Sequence, residues 1–370
     1  MSKYIIIPGK DYLLSVSELY FRFPEMQFER VGPDYFIVEH EDKLGQKELD
    51  SLGGTIKIAE VYNMPLFSLV KKVHTGERLE YGISVYGQPE STLSELLKDI
   101  KKKMNEAGMK GRFVNSEGNV SSAQYKQLRN GGAEFVYIKT AQRQYVALVT
   151  GVQDIDAYSA RDYGKPFRDM AMGMLPPKLA QILINITGVT GKIWDPFCGS
   201  GAVLMEGINA GRPMVGSDIS PKAVEGAIKN VEWLNKGKAE VFYQDAARVT
   251  KLPDAEAIAA EGDLGPVQTA PLSEAKARTL SIELSSKYVA FFKCLRQLKF
   301  QGPIVFAFPF FRLDTGEDYE MHDLINSIEQ LGFARTPLLP EICKKEAFML
   351  KYARPGQNVG RAIYRFVLAE

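Results

Sequence analysis

The stretch Asp195-Pro196-Phe197-Cys198-Gly199-Ser200-Gly201 decides the fold of this chain. A short apolar run, Lys192-Ile193-Trp194, leads into it, and a helix-like segment from Ala202 to Asn209 follows. The next apolar run, Met214-Val215-Gly216-Ser217, ends in a second acid, Asp218. Strand, glycine turn, helix, strand, acid is the layout of a nucleotide-type site in a doubly wound sheet. A dinucleotide would require G-x-G-x-x-G, which sets backbone amides against a pyrophosphate, and here the third glycine position is Leu204. The turn suits S-adenosylmethionine, which has no phosphate but offers an ammonium, a carboxylate, a sulfonium and a ribose. Asp195 complements the ammonium, and Gly199 and Gly201 let the backbone approach closely. Asp218 accepts from the ribose hydroxyls. Pro196, Phe197 and Cys198 complete the turn, and Ile219 follows the ribose acid.

Working outward, strands are expected at Lys192–Trp194, Pro213–Ser217, Ala239–Tyr243, Ala257–Ala260, Ile304–Phe308 and Ala334–Pro337, with a late pair near Lys345–Tyr352 and Ala362–Leu368. Helices are expected at Lys178–Ile186, Val203–Asn209, Pro221–Leu234, Leu280–Leu298 and Tyr319–Leu331. This is a parallel α/β sheet closed by an antiparallel hairpin. Ligands of such sheets sit at the carboxyl ends of the strands. The third strand end, Asp245-Ala246, offers an acid and a backbone amide for the adenine edge. The fourth runs through Glu261-Gly262-Asp263-Leu264-Gly265-Pro266, where a methyl acceptor meets the cofactor. Glu261 is the candidate acceptor for an exocyclic amine, with Asp263 and Pro266 beside it. The fifth, Phe308-Pro309-Phe310-Phe311-Arg312, offers aromatics that could stack a base. None of the three cysteines is placed for attack on a pyrimidine ring.

Upstream, residues 1–62 read as βαββαβ: a strand Tyr4–Ile7, a helix Leu14–Phe21, a hairpin of Gln27–Val31 with Tyr35–Val38, a short helix Lys47–Leu52 and a strand Thr55–Val61. That order is ferredoxin-like. Residues 63–152 read as a second α+β unit, with strands Tyr81–Tyr86, Gly111–Val114, Glu134–Ile138 and Tyr145–Val152 and helices Leu93–Met104 and Ser121–Leu128. Residues 153–172 read as a connector, and the catalytic domain as 173–370.

Composition is that of a soluble globular chain: 370 residues, 45% apolar, 25% charged, net charge +1. No apolar run approaches the roughly 18 residues of a membrane span. Three dispersed cysteines and three dispersed histidines suggest neither disulfides nor a metal site, and the expected setting is a reducing cytoplasm. Charge is uneven. Between Lys98 and Arg143 ten Lys/Arg face four acids, including Lys101, Lys102, Lys103, Lys110, Arg112, Lys126 and Arg129. Such a window fits a grip on a phosphate backbone.

The turn and its sequel Ala202-Val203-Leu204-Met205-Glu206-Gly207 resemble the first motif of the RNA methylases that carry a THUMP-type RNA-binding region. The resemblance is greatest to the tRNA guanine-N2 methyltransferases that modify guanosine ten, and to their bacterial relatives. Arg161-Asp162-Tyr163-Gly164-Lys165-Pro166-Phe167-Arg168-Asp169 is similar to that family's linker, and Met174-Leu175-Pro176-Pro177-Lys178-Leu179-Ala180-Gln181 to the helix before its cofactor domain. The resemblance implies a class I, Rossmann-like methyltransferase domain behind ferredoxin-like and THUMP-like units. It also implies tRNA as partner, and Asp195, Gly199, Gly201, Asp218 and Asp245 as cofactor ligands. At strand four Glu261, Leu264, Gly265 and Pro266 fit the Glu-Pro-Tyr-Leu-Gly-Pro form of some bacterial relatives, while Gly262 and Asp263 replace its proline and aromatic. Two alternatives stay open: a catalytically impaired SAM- and RNA-binding protein, and a DNA amino-methyltransferase. No feature of the sequence marks a small activating subunit or a homodimer surface.

Overall fold

The computed structural model describes residues 1–89, 91–115, 117–168 and 174–369. The end of the expected connector, Asp169 included, lies outside the described residues. The chain forms two compact units, one of Met1–Tyr12, Glu25–Asp50 and Thr55–Ile155, the other of Leu13–Pro24, Ser51–Gly54 and Asp156–Glu370.

The first unit is built on one eight-stranded sheet. Its strands are β1 (Ser2–Pro8), β2 (Gln27–Arg30), β3 (Phe36–His40), β4 (Thr55–Tyr62), β5 (Arg78–Val85), β6 (Lys110–Phe113), β7 (Ala133–Lys139) and β8 (Gln144–Val152), in the order β2-β3-β1-β4-β8-β7-β5-β6. The strands expected in residues 1–62 and in 63–152 therefore share a sheet, joined where β4 pairs antiparallel with β8. A buried ion pair stitches the middle: Lys57 Nζ lies 2.5 Å from Glu134 Oε1 and donates to the Val120 carbonyl at 2.6 Å. Ser121 caps the helix Ser122–Leu128, accepting from the Gln124 amide. The helix Leu66–Val73 had no counterpart in the sequence reading, although it buries Leu66, Leu69 and Val70 at helical spacing. It is only eight residues long, too short for periodicity to separate it from a loop.

The second unit carries β9 (Ile193–Asp195), β10 (Met214–Asp218), β11 (Ala239–Tyr243), β12 (Ala257–Glu261), β13 (Ile304–Arg312), β14 (Asp318–Tyr319), β15 (Phe333–Arg335), β16 (Leu350–Tyr352) and β17 (Val359–Leu368). The order is β11-β10-β9-β12-β13-β17-β15, with β14 on β13 and β16 on β17. β9 to β13 are parallel, and β17 runs antiparallel beside β13 from Ile304↔Phe366 to Phe311↔Val359. Strand order reverses between β9 and β12, so a crevice opens at their carboxyl ends. Ala257, Ile258, Ala259 and Ala260 of β12 are fully buried, as a strand covered on both faces requires. The helix Glu274–Gln297 packs Tyr288, Phe291 and Phe292 into a core shared with Phe306, Phe308, Phe333 and Phe366.

One sequence expectation is corrected. The aromatics at the fifth strand end do not face a ligand. β13 continues to Arg312 with Phe308, Phe310 and Phe311 at most 2% exposed, Phe308 packing on Tyr288 and Phe292 of the long helix and Phe310 on Gly360 of β17. Within the expected connector, Ile155–Tyr163 is a helix. Its Arg161 is buried and forks onto Glu206 of the helix Ala202–Asn209, with contacts of 2.6 and 3.1 Å. Among the described residues no helix is long and apolar enough to cross a membrane, and no cluster of His, Cys, Asp and Glu could hold a metal ion.

Candidate cofactor and acceptor site

The turn after β9 is tight. Gly201 donates its amide to the Cys198 carbonyl at 2.7 Å and opens the helix Ala202–Asn209 at φ +81°, a conformation that costs glycine little. Gly199 has φ +49° and gives its amide to Asp218 Oδ2 at 2.9 Å, while Ser220 N donates to Asp218 Oδ1 at 2.8 Å. The second acid is thus oriented by the first turn. Below it, Trp194 Nε1 donates to Ser217 Oγ at 3.0 Å and ties β9 to β10. Asn230, fully buried, holds the turn from the other side. It donates to the Ser200 and Phe167 carbonyls and accepts from the Phe167 amide.

These pieces surround a cavity of about 470 Å³, within the ordinary range for a small-molecule site. Asp195, Pro196, Phe197, Cys198, Gly199, Asp218, Ile219, Asp245, Ala246, Glu261 and Asp263 all line it. Of the predicted cofactor-binding and catalytic residues, Gly201 and Pro266 do not. Gly201 shapes the turn from behind, and Pro266 is exposed further along the loop. Lys287 also lines the cavity, and nothing local in its sequence marks it, since it is one charged residue on a long helix.

The electrostatics favour a cation. Asp195 is 2% exposed, and its Oδ1 accepts from the Phe197 amide at 3.1 Å. Burial drives its carboxyl well above the usual carboxylate range, and the neighbouring Asp218 and Glu261 push the same way. The Cys198 thiol is likewise pushed up by burial and by Asp195, so it stays neutral and unreactive. Asp245 caps the next turn, accepting from the Ala247 amide at 2.9 Å. Five carboxylates face one lysine among the described lining residues, which fits a ligand with an ammonium and a sulfonium.

The end of β12 is fastened differently. Glu261 Oε1 lies 2.6 Å from Nε of buried Arg361 on β17. Burial raises the Glu261 carboxyl, and Arg361 opposes that shift. A Cβ at Gly262 would stand 2.6 Å from Tyr288 Cε1 and 2.8 Å from Phe306 Cε1, so the Tyr288 ring fills the space of a side chain there. The Tyr288 hydroxyl donates to the Asp263 carbonyl. The glycine that replaces a proline in the resemblance is the residue this packing permits.

TrmN from Thermus thermophilus superposes over the full length of both chains, with a TM-score of 0.53 at 13% identity. The fold is that of a class I methyltransferase. Residues 166–261 match the family model described as RMKL-like, methyltransferase domain. A tRNA (guanine(10)-N2)-dimethyltransferase from Pyrococcus abyssi is 32% identical over 151 residues, 39% of this chain and 42% of that protein. Its namesake from Methanothermobacter thermautotrophicus is 38% identical over 89 residues, 24% of this chain and 26% of that protein. The chain thus spans less than half the length of these curated relatives.

Proposed function

We propose that this chain is a methyltransferase that uses S-adenosylmethionine to methylate an exocyclic amine of an RNA base, namely guanine N2 in tRNA. The observation that carries the reading is the cavity at the sheet's reversal point, with Asp195, Asp218 and Asp245 at three successive strand ends and Glu261 at the fourth. Asp195 would hold the ammonium, Asp218 the ribose hydroxyls, and Asp245 with the Ala246 amide the adenine edge. When bound, the cofactor supplies a methyl group on a positively charged sulfur. Glu261, which lines the same cavity, would accept a hydrogen bond from the target amine and orient its lone pair. A methylated amine must shed a proton, and the Glu261 carboxyl, raised by burial, would be suited to take it.

Two matches to tRNA guanine-N2 enzymes support guanine in tRNA as the target. Residues 1–62 and 63–152 serve as ferredoxin-like and THUMP-like RNA-binding units ahead of the domain from 173. Lys101, Lys102, Lys103, Lys110, Arg112, Lys126 and Arg129 are all exposed there. Several have acidic neighbours, such as Lys103 with Asp99 at 2.8 Å and Arg112 with Glu80 at 3.4 Å. Such exposed pairs are weak and would yield to phosphates.

The test is mass spectrometry of nucleosides from tRNA incubated with the protein and labelled cofactor. N2-methylguanosine is expected, and none with Asp195→Ala. Cofactor binding without methyl transfer to any RNA refutes the reading. Preference for duplex DNA over tRNA at matched salt would transfer it to DNA.

A further inference from the structure

One pair lining the cavity is not among the groups assigned above to the cofactor. Lys287 Nζ lies 2.7 Å from Asp263 Oδ2, with side chains 50% and 42% exposed. Asp263 is held at two atoms: its Oδ1 accepts the Gly265 amide at 2.9 Å, and its carbonyl accepts the Tyr288 hydroxyl. Lys287 and Tyr288 are consecutive in one helix, so the lysine stands next to the residue that fills the space at Gly262. An ion pair this exposed adds little stability. Its groups line the same cavity as Glu261 and are open to a ligand there.

We propose that Asp263 and Lys287 read the edge of the acceptor base. The carboxylate accepts from the ring N1–H of guanine, and the ammonium donates to O6, with each group keeping its present bond to the other. Each carboxylate oxygen retains a free lone pair and the ammonium retains two N–H groups. An acceptor beside a donor matches a base that sets N–H beside a carbonyl. With position 2 turned toward Glu261, adenine would set a lone pair against the carboxylate and an amino group against the ammonium. Uracil shares the guanine pattern but has no amine to methylate. The inference rests on the β12 end being the acceptor side.

The experiment is equilibrium binding of GMP, IMP and AMP to the full chain saturated with S-adenosylhomocysteine, compared with Asp263→Asn and Lys287→Met. Cooperative melting of each variant checks folding. GMP and IMP are expected to bind at least about tenfold more tightly than AMP, the discrimination typical of a paired base contact. Both variants should lose that preference. IMP lacks the 2-amino group, so its binding like GMP would place recognition at N1–H and O6. Equal binding of all three, undetectable binding included, overturns the inference. So does a preference that survives in the variants, or a uniform loss for all three nucleotides with Lys287→Met, which would mark a phosphate contact. The function fails separately. A pair-dependent preference with no methylated tRNA refutes methyl transfer alone. Guanine methylation with a preference unchanged in the variants refutes the pair alone.

Discussion

The two halves of the cavity are built on opposite plans. The turn after β9 is held within one strand-turn-helix-strand unit: Gly199 on Asp218, Trp194 on Ser217, and Phe197 on Asp195. The loop after β12 is held by elements outside such a unit, with Glu261 on Arg361 of β17 and Gly262 and Asp263 against Tyr288 and Lys287 of the long helix. A site whose partners lie in one such unit is legible as a motif, whereas a site held by other elements is not.

The sharpest way to break this contrast is at Asp195. Asp195→Ala should lower cofactor affinity by at least about a hundredfold, as expected for loss of a charge-assisted bond in a buried site, measured by calorimetry. Asp195→Asn should also lose binding, yet melt higher than the wild type at neutral pH. The raised carboxyl contributes stability at low pH that is lost as pH rises through its folded value, and asparagine removes that loss. A lower melting point would show that the acid is a structural part of the turn.

An effect of similar size is expected at the end of β12. Arg361→Leu leaves Glu261 without its partner and should cost about 3–5 kcal/mol, the usual penalty for breaking a buried pair, read from denaturant unfolding. The same substitution should barely change the turn after β9. Gly262→Ala should cost about 1–3 kcal/mol by overpacking against Tyr288 and Phe306. Pairing it with Tyr288→Leu should restore part of that loss, and independent additivity would deny their coupling. Smallest is a pH effect. The ammonium requires ionised Asp195, so affinity should fall on acidification by at most about tenfold per pH unit. A flat profile in wild type would remove Asp195 from the ammonium site.

The sequence alone determined the turn after β9. Asp195, Gly199, Gly201 and Asp218 lie within 24 residues, and a strand-turn-helix-strand unit fixes their mutual positions through backbone geometry. The alternation of strands and helices likewise exposed the sheet, and with it the strand ends where Asp245 and Glu261 line the cavity. The short helix Leu66–Val73 and the helix in the connector escaped, because few residues carry too little periodicity. Tertiary structure decided the surroundings of the loop after β12. No local rule says that Phe310 and Phe311 are covered by β17, or that Arg361, a hundred residues on, neutralises Glu261. Nor does one say that Lys287 faces Asp263. Those contacts are made across the sheet and its covering helix, and their spacing in sequence carries no trace of their distance in space.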